Sequence, residues 1–183
     1  MSLRGCPSPP KADWDDEAIS VFYIHVENRF AIFSTMKKRE LFTIGYQGRE
    51  IDEFISLLKK HKISRLIDIR EAPISRKKGF SKNALRERLE DDHIAYVHIK
   101  ALGSPPALRE KVRSDHDYDA FFKSFSKHLT QNLDGVRELH QYITDGINCL
   151  MCFERSHEEC HRSVVAIKIK DYTRKGLTIT HIG

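Results

Sequence analysis

The sequence predicts a three-layer α/β fold, a mostly parallel five-stranded sheet with helices on both faces. Three observations lead there. From Leu41 onward, short β-type runs alternate with segments of helical apolar spacing, the order that βαβ units produce. The run Ile147-Asn148-Cys149-Leu150-Met151-Cys152-Phe153 is almost continuously apolar, as in a strand covered on both faces. The 183 residues fit one ordinary domain that buries enough surface to fold without disulfides or a structural metal.

The elements follow in order. Residues 1–40 read as an N-terminal extension, with Pro7, Pro9 and Pro10 followed by the acidic run Asp13 to Glu17. Val21 to Val26 and Arg29 to Phe33 alternate as a hairpin would, but Glu27-Asn28 between them lacks the glycine favoured in two-residue turns. Met36 stands just before the first strong strand and is a candidate natural start, which makes the residues upstream a non-native addition dispensable for folding. Residues 41–183 form the single α/β domain.

Leu41 to Ile44 is the first strand, and Gly45-Tyr46-Gln47-Gly48 turns the chain. Ile51, Phe54, Ile55 and Leu58 then share one helical face, with Asp52 and Glu53 in the first turn where carboxylates suit the helix dipole. Arg65 to Ile69 is the second strand. Ser81 stands where a helix cap belongs, before Leu85 and Leu89, and Ile94 to Ile99 is the third strand. Tyr118, Phe121, Phe122, Phe125 and Leu129 form one helical stripe, and Val136, Leu139, His140 and Ile143 another; both read as core-facing helices. Asp145-Gly146 turns into the central strand, Ile147 to Phe153. A last helix spans about Cys160 to Lys175, Gly176 caps it, and Leu177 to Ile182 closes the sheet.

Composition narrows the function classes. Hydrophobic residues make up 40% and charged residues 31%, which argues against a disordered, collagen-like or membrane-spanning chain. No apolar run reaches the roughly 18 residues of a membrane span, and Met1 to Pro10 lacks the apolar centre of a signal peptide, so no membrane association and a cytoplasmic location are expected. Cys6, Cys149, Cys152 and Cys160 are spaced unlike a disulfide framework and read as free thiols. Net charge is +5, and the segment Arg65 to Arg88 carries that whole imbalance. Such a patch suits a phosphate-bearing ligand or nucleic acid, and equally a solvated basic loop.

In open parallel sheets, ligands bind beyond the carboxyl ends of the strands. The residues there are Gly45-Tyr46, Asp68 and Arg70, His98, Lys100 and Leu102-Gly103, Cys152 and Glu154, and His181. The densest stretch runs from Cys152 through Glu154 and His157 to Cys160-His161-Arg162. A helix starting near Cys160 directs its backbone N–H groups at that site, which would lower the Cys160 pKa and let Arg162 hold an anion. Each residue has a plainer use as well. Cys149 and Cys152 suit a core strand, Glu154 suits an ion pair with Arg70 or Arg162, and His161 suits packing or capping. Cys152, His157, Cys160 and His161 are zinc-ligand types without the paired C-x2-C spacing. Adjacent Cys160 and His161 would diverge on a helix, so no metal site is expected. No Walker sequence, nucleophile elbow or dinucleotide fingerprint occurs, and no cofactor is assigned.

Five separated motifs occur in order: Thr43-Ile44-Gly45-Tyr46-x-Gly48; Ile67-Asp68-Ile69-Arg70; Pro73-x-Ser75-Arg76-x-x-Gly79-Phe80-Ser81-Lys82; Leu102-Gly103; and Cys152-Phe153-Glu154 with Cys160-His161-Arg162. Together they resemble the domain-of-unknown-function 488 family over residues 41–183. The departure is the 35-residue stretch upstream of Met36, near which family members usually begin. The resemblance implies a compact prokaryotic α/β domain and supports a site more than a reaction.

The leading expectation is therefore an enzyme, or an enzyme-derived domain, that binds an anionic, phosphorylated ligand at the strand ends. Gly45, Tyr46, Arg70, Arg76 and Arg162 are the ligand-binding candidates; Glu154 and His161 are the acid or base, and Cys160 a nucleophile. Arg70 and Glu154 are expected in hydrogen-bond contact. The alternative is a nucleic-acid-binding module using Arg76, Lys77, Lys78 and Lys82 on the backbone, with Phe80 stacking on a base. A structural or protein-interaction role comes third.

Overall fold

The computed structural model describes residues 39–144, 146–173 and 176–183; the expected hairpin at 21–33 and Asp145 of the expected turn lie outside them. Five strands, β1 (Arg39–Gly45), β2 (Arg65–Asp68), β3 (Ala95–His98), β4 (Asn148–Cys152) and β5 (Leu177–Ile182), form one sheet. Its order is β3-β2-β4-β1-β5, and every pairing is parallel. The helices are α1 (Ile51–Lys60), α2 (Lys82–Glu90), α3 (Pro106–Asp115), α4 (Tyr118–Gln131), α5 (Asp134–Tyr142) and α6 (His161–Thr173), with a 3-10 turn at Lys100–Leu102. The expected three-layer α/β fold with five parallel strands is the fold observed.

Alternation along each strand divides the core in two. Phe42 and Ile44 of β1, Leu66 of β2, and Cys149 and Met151 of β4 pack with Phe54, Leu58, Leu85 and Leu89 of α1 and α2. Leu41, Ile67, Leu150 and Cys152 point to the other face, onto Phe125, Leu129, Val136, Leu139, Val165 and Ile169 of α4, α5 and α6. Side chains at odd and even positions thus serve opposite layers. The chain steps from β1 over to β2 and β3, then returns to β4 and β5. Reversing that direction of travel requires right-handed crossovers to change face. All five residues of β4 are buried, as its apolar run predicts.

The structure differs locally from the sequence reading at three places. Helix α3 is added between the third strand and the Tyr118 stripe; none of its residues is buried, so it has no apolar face to announce it. Ser81 does stand at the α2 N-cap, but its hydroxyl makes no capping bond. The last helix begins at His161 rather than Cys160, a one-residue shift that changes the site. Among the described residues, no helix is long and apolar enough to cross a membrane.

Candidate functional site

The central strand creates the site. After β1 and β2 the chain leaves toward the α1 and α2 face, and after β4 it leaves toward α6, so the loops part at the carboxyl end of β4. A crevice forms at such a divergence. The β1 loop and the β4 loop are clasped before they separate: Tyr46 N donates to Cys152 O at 3.3 Å and Gln47 N to Phe153 O at 2.8 Å. The Gln47 side-chain oxygen then accepts from Arg155 N at 3.1 Å. Gly45 is the point of closest approach, since a Cβ there would lie 1.8 Å from the Glu154 carbonyl oxygen.

An open cleft of about 550 Å³ lies over these loops, lined by Gln47, Gly48, Arg155, Ser156, His157, Glu159 and Gly183. Arg155 and His157 bring the basic groups. His157 stacks on His181 with ring centroids 3.7 Å apart, and Thr43 Oγ1 lies 2.7 Å from His181 Nδ1. Burial, then the neighbouring His157 and Arg162, hold the His181 pKa below the ordinary imidazole value.

Where the β4 loop runs into α6, Cys152, Glu154, Cys160 and His161 meet. The thiols of Cys152 and Cys160 each donate to Glu154 Oε2 at 3.0 Å. His161 Nδ1 lies 3.6 Å from Cys152 Sγ and 3.9 Å from Cys160 Sγ. His161 Nε2 is 3.1 Å from Ile69 O; a carbonyl only accepts, so this nitrogen carries the proton and Nδ1 faces the sulfurs as the second ring nitrogen. Phe125 packs edge-on against the imidazole at 5.3 Å. Each of the four residues offers one donor atom, and these atoms all lie within 4.8 Å of one another.

The electrostatics run against the expected Cys160 nucleophile. Burial, with the neighbouring Cys152 thiol, pushes the Cys160 pKa well above the ordinary value. The lowering by a helix N-terminus is overridden because Cys160 is completely buried, and desolvation penalises the thiolate. Burial also works to raise Glu154, but the two thiols donating to it outweigh that and hold it below the ordinary carboxylate value. For His161, burial works downward, yet the Cys160 thiol, the Ile69 carbonyl and Glu154 together push it up.

Two arginines expected to bind ligand are committed to the fold. Arg70 is buried and donates through Nε and Nη2 to the Asp68 carboxylate at 2.6–3.0 Å. Its Nη1 donates to Tyr46 Oη at 3.0 Å and Phe80 O at 2.9 Å. Tyr96 Oη also donates to Asp68 Oδ2, at 2.7 Å. The expected Arg70 to Glu154 contact is thus replaced by Arg70 to Asp68, because residues two apart on an extended segment share a side. Arg162, 1% exposed, donates to the carbonyls of Glu154 at 2.5 Å and Arg155 at 2.7 Å. It holds the β4 loop in shape, and its buried Nε has no partner among the described residues.

The remaining candidates separate. Tyr46 is buried, stacked on Phe80 at 4.5 Å and edge-on to Phe153 at 5.3 Å. Phe80 is fully buried, so it offers no face to a base, contrary to the expected stacking role. Arg76 is exposed on the loop after β2, away from the four-residue cluster's bonding network. Cys149 faces the opposite layer. Asp68 and Tyr96 are the residues that sequence reasoning missed as a network, although the Ile67-Asp68-Ile69-Arg70 alternation carried the signal. Arg49 was also missed; buried, it donates from Nε to Gly45 O at 3.2 Å and pairs with Glu53.

The architecture defines an open parallel α/β domain with a polar centre at the end of its middle strand. The chain belongs to the family described as domain of unknown function DUF488, whose family model matches residues 50–169. The match takes in β2, β3, β4 and the cluster, while β1 and β5 lie outside it. No curated protein and no solved structure matches the chain.

Proposed function

We propose that this domain binds a small phosphate-bearing anion in the cleft at the carboxyl ends of β1, β4 and β5, as an enzyme or an enzyme-derived domain. The observation that carries this reading is Arg155. Its guanidinium lies at Gly48 in the cleft, the side chain is exposed, and it has no ion-pair partner among the described residues. Arg155 thus takes the charge-binding part first expected of Arg70 and Arg162. Glu154, next to Arg155 on the same loop, and His161, the first residue of α6, supply a carboxylate and an imidazole for proton transfer. Free thiols at Cys149, Cys152 and Cys160 suit a reducing, cytoplasmic setting.

Calorimetric titration with inorganic phosphate and pyrophosphate tests the proposal. Replacing Arg155 with Gln should weaken binding by about 10- to 100-fold, the value of a charge-assisted hydrogen bond, with little change in the unfolding midpoint. Unchanged affinity would refute the assignment. Steeply salt-dependent binding of an oligonucleotide, abolished by substituting Arg76, Lys78 and Lys82, would instead favour the nucleic-acid reading.

A further inference from the structure

We propose that Cys152, Cys160, His161 and Glu154 form a binding site for one zinc-type divalent transition-metal ion. The inference does not rest on the anion contacts, since it uses none of the cleft cations; with the ion bound, Glu154 and His161 serve as its ligands rather than as free proton-transfer groups.

The geometry fits. A tetrahedral ion with sulfur, nitrogen and oxygen ligands places its donor atoms about 3.5–3.8 Å apart. The two sulfur-to-nitrogen separations are 3.6 and 3.9 Å. The sulfur-to-oxygen separations are 3.0 Å each, and a small rotation of the Glu154 side chain opens them. The ring is already oriented as metal-binding imidazoles are: Nε2–H is given to the Ile69 carbonyl at 3.1 Å, which leaves the Nδ1 lone pair for the ion. Arg162 pins the loop by donating to the Glu154 and Arg155 carbonyls, a second layer of support for the donor set.

Charge balance points the same way. Glu154 is half-buried and forms no ion pair with a Lys or Arg side chain among the described residues; its carboxylate is met by two thiols, which are weak donors. A carboxylate withdrawn from water without a cation is costly. A divalent ion supplies that cation, and thiolate and imidazole donors select a borderline-soft metal such as zinc over magnesium or calcium. On binding, each thiol gives up its proton to solvent, so two protons leave as one ion enters. The sequence argument against a metal assumed that Cys160 and His161 diverge on a helix. Because α6 begins at His161, Cys160 is outside it and both side chains reach one point, with Glu154 in the place given to His157.

The test is cobalt(II) titration of the reduced, metal-free full chain. One equivalent of Co²⁺ should produce a thiolate-to-cobalt charge-transfer band and tetrahedral ligand-field bands, both displaced by Zn²⁺. C152S and C160S should bind more than about tenfold more weakly with reduced charge-transfer intensity, whereas C6S should match the parent. X-ray absorption on the zinc-loaded parent chain removes any dependence on variant folding, and should show sulfur scatterers at about 2.3 Å. No cobalt spectrum from folded parent chain, a zinc shell of only nitrogen and oxygen, or a sulfur band lost in C6S but retained in C152S and C160S would overturn the site.

Discussion

Replacing Asp68 with Ala is expected to destabilise the domain by about 3–5 kcal/mol, the usual result of breaking a buried charge pair from one side. Asp68 is fully buried and Arg70 5% exposed. The carboxylate accepts Nε and Nη2 of Arg70, the Arg70 backbone N at 3.0 Å and the Tyr96 hydroxyl. Without it, a guanidinium keeps only Tyr46 Oη and the Phe80 carbonyl. An arginine side chain keeps its proton at neutral pH in any case, so in the variant Arg70 stays charged and bears the full desolvation cost. Urea unfolding should show a lowered midpoint at unchanged slope. The double variant D68A/R70M should recover most of the loss, because removing both charges leaves none unpaired. A loss below about 1 kcal/mol would mean that water reaches the pair.

Gly45→Ala is expected to cost about 3 kcal/mol or more, at the upper end for overpacking. The added Cβ would lie 1.8 Å from the Glu154 carbonyl oxygen and 2.7 Å from its carbon, both backbone atoms. No side chain can rotate away to relieve that contact. The β4 loop must shift instead, carrying Glu154 away from the two thiols and loosening the Arg162 bonds to carbonyls 154 and 155. Gly48→Ala is the comparison: φ is +75° there, but the new Cβ meets only the Arg155 Nη1 at 3.5 Å. Its cost should be the left-handed backbone alone, about 1–2 kcal/mol. Equal midpoints for the two variants would show that the loops are not clasped at Gly45.

The sheet was legible because each strand and most helices carry their own periodicity. Leu177 to Ile182 needs no tertiary information to be read as a strand, and the Phe121, Phe125 and Leu129 spacing needs none to be read as a helix face. Helix α3 had no such signal, being built on Pro106 with no buried residue. The candidate site was legible as a set of strand-end residues, but its pairings were not. Arg70 could be assigned to Glu154 because the sequence shows two charges at adjacent strand ends; the nearer partner, Asp68, was visible only through the two-residue repeat. The state of Cys160 depended on two opposing effects, helix dipole and burial, and sequence position reveals the first while complete burial decides the outcome. Whether Cys160 and His161 converge turned on a single residue at the start of α6, finer than periodicity resolves.

The most direct test of a functional centre at the end of β4 is an amide NMR titration of the full chain with inorganic phosphate. Saturable shifts should concentrate at Gln47, Gly48, Arg155, Ser156 and His157, with smaller changes at Cys160 and His161. Shifts confined to Arg76 through Lys82, or no saturable shift at all, would contradict it.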